Sequence, residues 1–156
     1  MSNQIAEGQT APDFTATATS DTVVTLSALA GRKVVLYFYP KDSTPGCTAE
    51  GQNFRDLYPA FQNAGCDIFG VSRDSLRRHE NFKAKQAFPF ELISDEDETL
   101  CRLFDVIRLK KLYGREFEGI ERSTFLIDEQ GVIRRIWRKV KVKGHADEVL
   151  DAARTL

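Results

Sequence analysis

The chain has 156 residues, 42% of them hydrophobic and 29% charged, with a net charge of −1; this suits one domain over residues 1–156 and argues against nucleic acid or an anionic membrane as partner. No apolar run approaches the ~20 residues that cross a bilayer, and Met1 to Gly8 lacks a basic stretch followed by an apolar one. Three cysteines, an odd number, make no disulfide framework, so a reducing compartment, the cytoplasm, is expected.

Residues 1–12 read as an irregular lead-in tied down around Pro12. Phe14 to Ala18 and Val23 to Leu26 flank the polar Thr19-Ser-Asp-Thr22, which predicts a hairpin. Ser27 is placed to cap a short turn ending at Gly31. Lys33 to Tyr39 reads as a strand buried on both faces, because its apolar residues run on rather than alternate. A helix follows, with Thr44 as N-cap and Pro45 at its first position. Phe54, Leu57, Tyr58 and Phe61 recur along it at helical spacing. Pro59 is expected to kink it and Gly65 to end it.

Cys66 to Ser72 predicts a second, parallel strand. Ser75 can cap a helix to about Gln86. Glu91 to Ser94 is a short strand, and Asp95 to Phe104 a short helix with Leu100, Leu103 and Phe104 on one face. Residues 105–120, rich in Lys, Arg and Gly, read as a surface excursion. Arg122 to Ile127 and Val132 to Arg138 are strands about a turn at Glu129-Gln-Gly131, and Ala146 to Thr155 is a closing helix. The order gives an α/β fold with a mixed sheet and helices on both faces.

The stretch that carries chemistry is Tyr37-Phe-Tyr-Pro-Lys-Asp-Ser-Thr-Pro-Gly-Cys-Thr48. It places Cys47 in the first turn of a helix, where free N–H groups and the helix dipole favour an anion. A thiol there is favoured as thiolate, the nucleophilic form. An inert, buried thiol is the alternative on position alone.

Pro40-x-x-x-Thr44-x-x-Cys47 resembles the active-site motif of the peroxiredoxins, and the longer string is similar to the peroxiredoxin Q, or bacterioferritin comigratory protein, subgroup. The resemblance covers about Gly8 to Leu150. It implies a thioredoxin-like fold with an N-terminal β-hairpin extension. It also implies a thiol-dependent peroxidase that reduces hydrogen peroxide and organic hydroperoxides with no metal, haem or flavin cofactor. Cys47 is then the peroxidatic cysteine, oxidised to a sulfenic acid. Thr44 is a partner for peroxide, and Pro40 a shield for the sulfur. Gly119-Ile-Glu-Arg-Ser-Thr-Phe-Leu-Ile-Asp128 matches the family's string around an arginine beside the thiolate, which falls on Arg122. Its guanidinium is always charged and offers fixed donors.

One departure stands out. Relatives carry a resolving cysteine where this chain has Gln52, or near Lys83. A one-cysteine enzyme is therefore expected, a monomer reduced by an external thiol such as thioredoxin or glutathione with glutaredoxin. Resolution by Cys66 or Cys101 is the alternative, although both read as core. A redox-sensing or chaperone-like module oxidised at Cys47 is a further rival. A thiol–disulfide oxidoreductase would want Cys-x-x-Cys, which is absent.

His79 and His145 have no ligand-like spacing, so no metal is expected. The basic residues Arg134, Arg135, Arg138, Lys139, Lys141 and Lys143 around Trp137 read as the solvated face of an edge strand rather than a nucleic-acid patch.

Overall fold

A computed structural model describes residues 5–156; residues 1–4 of the lead-in lie outside the described residues. The strands are β1 (Thr15–Ala18), β2 (Thr22–Thr25), β3 (Lys33–Phe38), β4 (Cys66–Ser72), β5 (Glu91–Ser94), β6 (Ile107–Leu112), β7 (Arg115–Ile120), β8 (Ser123–Ile127) and β9 (Ile133–Trp137). The helices are α1 (Pro45–Asn63), α2 (Leu76–Gln86), α3 (Thr99–Leu103) and α4 (His145–Arg154). Seven strands form one sheet in the order β2-β1-β5-β4-β3-β8-β9. β3, β4 and β5 are parallel, while β8 and β1 run antiparallel to their neighbours β3 and β5. This is the expected mixed sheet, with the β1–β2 hairpin as the N-terminal extension.

β3 sits in the middle and is buried along its whole length. Its alternate residues feed two cores. Val35, Tyr37 and Tyr39 pack with Cys47, Phe54 and Phe61 of α1, Phe82 of α2 and Val149 and Leu150 of α4. Val34, Leu36 and Phe38 pack on the other face with Phe14, Leu100, Cys101 and Phe104. Helices therefore cover both faces: α1, α2 and α4 on one, α3 on the other. Period-two alternation makes this division, since neighbouring residues of a strand point to opposite faces.

Local signals hold with corrections. Ser20 and Asp21 both have positive φ, +59° and +53°, and form the centre of a turn closed by Thr22 N–H to Thr19 O at 3.2 Å. Ser27 does not cap; it lies inside a 3-10 turn, Leu26–Leu29, entered from Thr25. Helix α1 runs through Pro59 to Asn63, and Gly65 follows at φ +72°. The predicted helix from Asp95 starts only at Thr99, because the Asp95 carboxylate accepts the N–H groups of Leu100 and Cys101 at 2.9 and 2.7 Å from outside it. The excursion at 105–120 is itself a β-hairpin, β6 paired with β7, turning at Tyr113 and Gly114 with φ +51° and +76°. The lead-in is held by β9 and the turn before it, up to the residue that precedes Pro12: Gly8 N–H donates to Ile133 O at 2.8 Å, Ile133 N–H to Gln9 O at 2.9 Å and Ala11 N–H to Gly131 O at 2.8 Å.

The basic residues Arg134 and Arg135 of β9, on the sheet edge, and Arg138 just after it are engaged within the chain. Arg134 pairs with Asp128, Arg135 lies over the Trp137 ring at 4.7 Å, and Arg138 donates to Asp105 O. No helix among the described residues is long and apolar enough to cross a membrane.

Candidate active site

The strand register builds the site. β8 runs antiparallel to β3 with Phe38 opposite Ser123. Arg122, one residue before β8, therefore stands at the end of β3 where the chain turns through Pro40 into α1. Cys47 arrives at the same rim from the first turn of α1. The two meet: Arg122 Nη2 lies 3.4 Å from Cys47 Sγ. Cys47 is 2% exposed.

The same guanidinium holds a second group. Arg122 Nη1 donates to Glu50 Oε1 at 2.5 Å. Glu50 is three residues after Cys47 and so shares its helix face. Its side chain is 1% exposed and its Oε2 has no hydrogen-bond partner among the described residues. Burial raises the Glu50 carboxyl to about 7, with the Arg122 charge opposing. One cation thus serves two potential anions. Gly46 makes room for it, since a Cβ there would lie 3.2 Å from Arg122 Nη2.

The helix start differs from expectation in one respect. Thr44 has N-cap backbone geometry, φ −87° and ψ 154°, but its side chain caps nothing. Its hydroxyl donates instead to Lys41 O at 2.8 Å. The proton is thereby directed away, and the Oγ1 lone pairs are left to accept. The first backbone bond of α1 is Thr48 N–H to Thr44 O at 2.8 Å. The N–H groups of Gly46 and Cys47 precede it and have no intrahelical acceptor. Pro40 is half-buried directly after Tyr39 on this rim.

The other two cysteines are elsewhere. Cys66 begins β4 opposite Lys33, the far end of β3. The six residues of β3 span roughly 17 Å at ~3.3 Å each, against the ~7 Å between Cα atoms that a disulfide allows. Burial, then the Asp67 charge, pushes the Cys66 thiol up to about 12. Cys101 lies in the core on the opposite face of the sheet, and burial and Asp95 push its thiol well up. At the two positions where the resemblance led a resolving sulfur to be expected, Gln52 donates to Gln86 at 2.9 Å and Lys83 faces Glu91 at 3.7 Å.

Glu50 and Gly46 were not singled out by sequence reasoning. The available signal was a carboxylate at i+3 from Cys47, on the helix face that packs inward at Phe54. His145, on no ligand pattern, is a core histidine: its Nε2 meets Thr124 Oγ1 at 2.8 Å, and burial lowers it to about 4.

Comparison with known proteins gives the family. The model of the AhpC/TSA family matches residues 7–136. Peroxiredoxin Bcp of Xanthomonas campestris is 60% identical over 131 residues, 84% of this chain and 82% of that protein. The solved bacterioferritin comigratory protein of Xanthomonas campestris, described for alkyl peroxide reduction, superposes with a TM-score of 0.87 at 55% identity, covering 91% of this chain and 90% of that one. A cysteine-to-serine mutant of PrxQ from Xylella fastidiosa gives 0.92 at 44% identity over 98% of each chain. The chain belongs to the AhpC/TSA family, within the peroxiredoxin Q branch of thiol-dependent peroxidases.

Proposed function

We propose that Cys47 is the peroxidatic cysteine and that Arg122, Thr44, Pro40 and Glu50 form the site around it. The observation that carries this is the guanidinium shared between Cys47 Sγ and Glu50 at the open start of α1. The thiolate attacks the terminal oxygen of a hydroperoxide. An S–O bond forms, the O–O bond breaks, and its electron pair leaves with the other oxygen, which takes up a proton and departs as water or alcohol. Sulfur is left as a sulfenic acid, two electrons oxidised. Arg122 Nη2 and the Cys47 N–H are donors for the developing charge. Thr44 Oγ1, its own proton on Lys41 O, accepts from the peroxide O–H and sets the line of attack. The Pro40 ring limits water access.

The substrates are hydrogen peroxide and organic hydroperoxides; the alkyl peroxide reduction described for the Xanthomonas campestris protein supports the latter. Turnover uses one cysteine and an external thiol, from thioredoxin or glutathione with glutaredoxin. Support comes from the sheet between Cys47 and Cys101, the length of β3 between Cys47 and Cys66, and Gln52 and Lys83 at the resolving positions. The test is a chain with Cys66 and Cys101 both changed to Ser. It should keep turnover with an external thiol, while Cys47→Ser should be inactive. After one equivalent of peroxide, the intact mass should gain one oxygen. A loss of two hydrogens, or a Cys47–Cys66 or Cys47–Cys101 peptide in a digest, would overturn the one-cysteine reading.

A further inference from the structure

The loop that carries Pro40 and Thr44 is fastened by a buried polar cluster. Asp42, 3% exposed, lies midway between them. Its Oδ1 accepts from Tyr39 OH at 2.6 Å, and its Oδ2 faces His79 Nδ1 at 2.6 Å. Its backbone N–H donates to Asp74 Oδ2 at 2.9 Å, and Asp74 Oδ2 also accepts from Ser72 Oγ at 2.6 Å. His79 is fully buried on α2, and its Nε2 donates to Ile93 O of β5 at 2.9 Å. Both ring nitrogens are thus engaged. Four segments converge here: the loop, the end of β4, α2 and β5.

Three of these side chains, Asp42, Asp74 and His79, bring oxygen and nitrogen atoms within 4.8 Å of one another, a grouping able to hold a cation. Their atoms are already matched. Asp42 takes Tyr39 and His79, and Asp74 takes the Asp42 N–H, Ser72 and Arg78 at 3.2 Å. A fully matched buried network fixes geometry. What it fixes is the turn Lys41–Ser43, whose Ser43 has φ +64°. A non-glycine residue keeps that conformation only where its surroundings hold it. Lys41 O in that turn is the acceptor that orients the Thr44 hydroxyl. Neither Asp42 nor His79 bonds Arg122, Glu50 or Cys47.

We propose that His79 and Asp42 are positioning residues for peroxide reduction, locking the loop so that Thr44 Oγ1 meets the peroxide, and acting independently of the Arg122–Glu50 pair. The inference rests on the peroxidase reading of Cys47. It predicts that two reactions of the same sulfur separate. Reaction with peroxide needs Thr44 in place; alkylation by neutral iodoacetamide needs only the sulfur and its arginine.

The experiment measures both rates in reduced protein for His79→Leu, His79→Gln, Asp42→Asn and Tyr39→Phe, each with and without Thr44→Val. His79→Leu and Asp42→Asn should slow the peroxide reaction by up to about tenfold with alkylation unchanged. Gln, which retains a donor to Asp42, should recover part of the loss. In the Thr44→Val background the same changes should cost nothing further. Tyr39→Phe removes one hydroxyl from a packed ring and should show the same pattern in smaller measure, which decides the matter if the larger changes fail to fold. Parallel falls in both rates, losses that persist undiminished beside Thr44→Val, or full peroxide rates in folded variants would overturn the lock. A wild-type chain that is alkylated at Cys47 yet inert to peroxide would instead overturn the peroxidase reading on which it rests.

Discussion

The two ends of β3 each hold a buried cysteine near a cation, and they differ in how far that cation is committed. At the start of the strand Lys33 is 7% exposed, and its Nζ donates to Ala64 O at 3.1 Å and Ala153 O at 2.8 Å. These carbonyls lie at the C-terminal ends of α1 and α4, the negative ends of both helix dipoles. Cys66 beside it is left a high-pKa thiol in a closed core. At the other end Arg122 is divided between Cys47 and Glu50, and both Glu50 Oε2 and the buried Tyr37 OH lack partners among the described residues. The helix start that faces it offers N–H groups instead of carbonyls. The same strand thus ends in a cation held by two carbonyls and in one divided between a thiol and a carboxyl, with an unpartnered carboxyl oxygen and phenol beside it. Buried polar atoms left without partners are uncommon and mark a site rather than a core.

The largest effect that would test this contrast comes from Arg122→Ala. Removing a charge-bearing donor aimed at the reacting atoms should slow peroxide reduction by on the order of a hundredfold or more. Lys should restore only part, because an ammonium cannot span Cys47 and Glu50 as the planar fork does. A peroxide rate in Arg122→Ala equal to wild type, measured by stopped flow, would remove the arginine from the site. At the opposite end Lys33→Met should do the reverse. Two carbonyls lose a charged donor, at a cost of about 2–3 kcal/mol in urea unfolding, while the peroxide rate of the folded protein stays at the wild-type value. A rate loss there would mean that the two ends are coupled.

What the sequence disclosed follows the same division. The place of Cys47 at a helix start was legible because strand, proline and helix start are local signals, and the match around Arg122 picked out an arginine whose Nη2 lies 3.4 Å from that sulfur. The two-faced burial of β3 was legible as an unbroken apolar run, and the helices on both sides from the order of the elements. Glu50 was not, because a buried carboxylate becomes intelligible only once Arg122, 72 residues away in sequence, is seen to reach it. His79 and Asp42 escaped for the same reason: a residue with no ligand spacing is joined to its partner only by the tertiary fold. Residues 105–120 escaped because charges fall on both faces of β6 and β7, which leaves no clean alternation. Thr44 illustrates the limit of local rules. Its backbone takes the N-cap position, yet its hydroxyl points to Lys41 O.

That correction sharpens the next expectation. If Thr44 were a side-chain cap, Thr44→Val would cost ~1 kcal/mol of helix stability. With the hydroxyl bonded to Lys41 O, it should leave α1 in place and slow peroxide reduction roughly tenfold, the ~1.4 kcal/mol of one hydrogen bond. The alkylation rate of Cys47 should be unaffected. A fall in alkylation that matches the fall in peroxide rate would make Thr44 a part of the helix start and nothing more.

The smallest effect on rate, and the most direct probe of the shared cation, is expected from Glu50→Gln. The amide oxygen can still accept from Arg122 Nη1, so the geometry around Cys47 should persist and the peroxide rate change little. The difference should appear in stability against pH. Native Glu50 keeps its proton up to about 7, against an ordinary value of 4.5. Between these values the native state binds more protons than the unfolded one, so Glu50 makes wild-type stability fall as pH rises, by at most about 1.4 kcal/mol per pH unit. His145 acts in the opposite sense. Burial lowers it from 6.5 to about 4. Between those values the unfolded state binds the extra proton, so stability rises with pH. The two slopes oppose each other from about pH 4.5 to 6.5, and the wild-type curve should be comparatively flat there. Glu50→Gln removes only the falling component. Urea midpoints of the variant should therefore climb with pH through that window, and its advantage over wild type should grow up to about pH 7 and then level off. A variant-minus-wild-type difference that is constant from pH 4.5 to 7.5 would mean that Arg122 keeps Glu50 ionised throughout. The guanidinium would then be as fully committed as Lys33 at the other end of the strand.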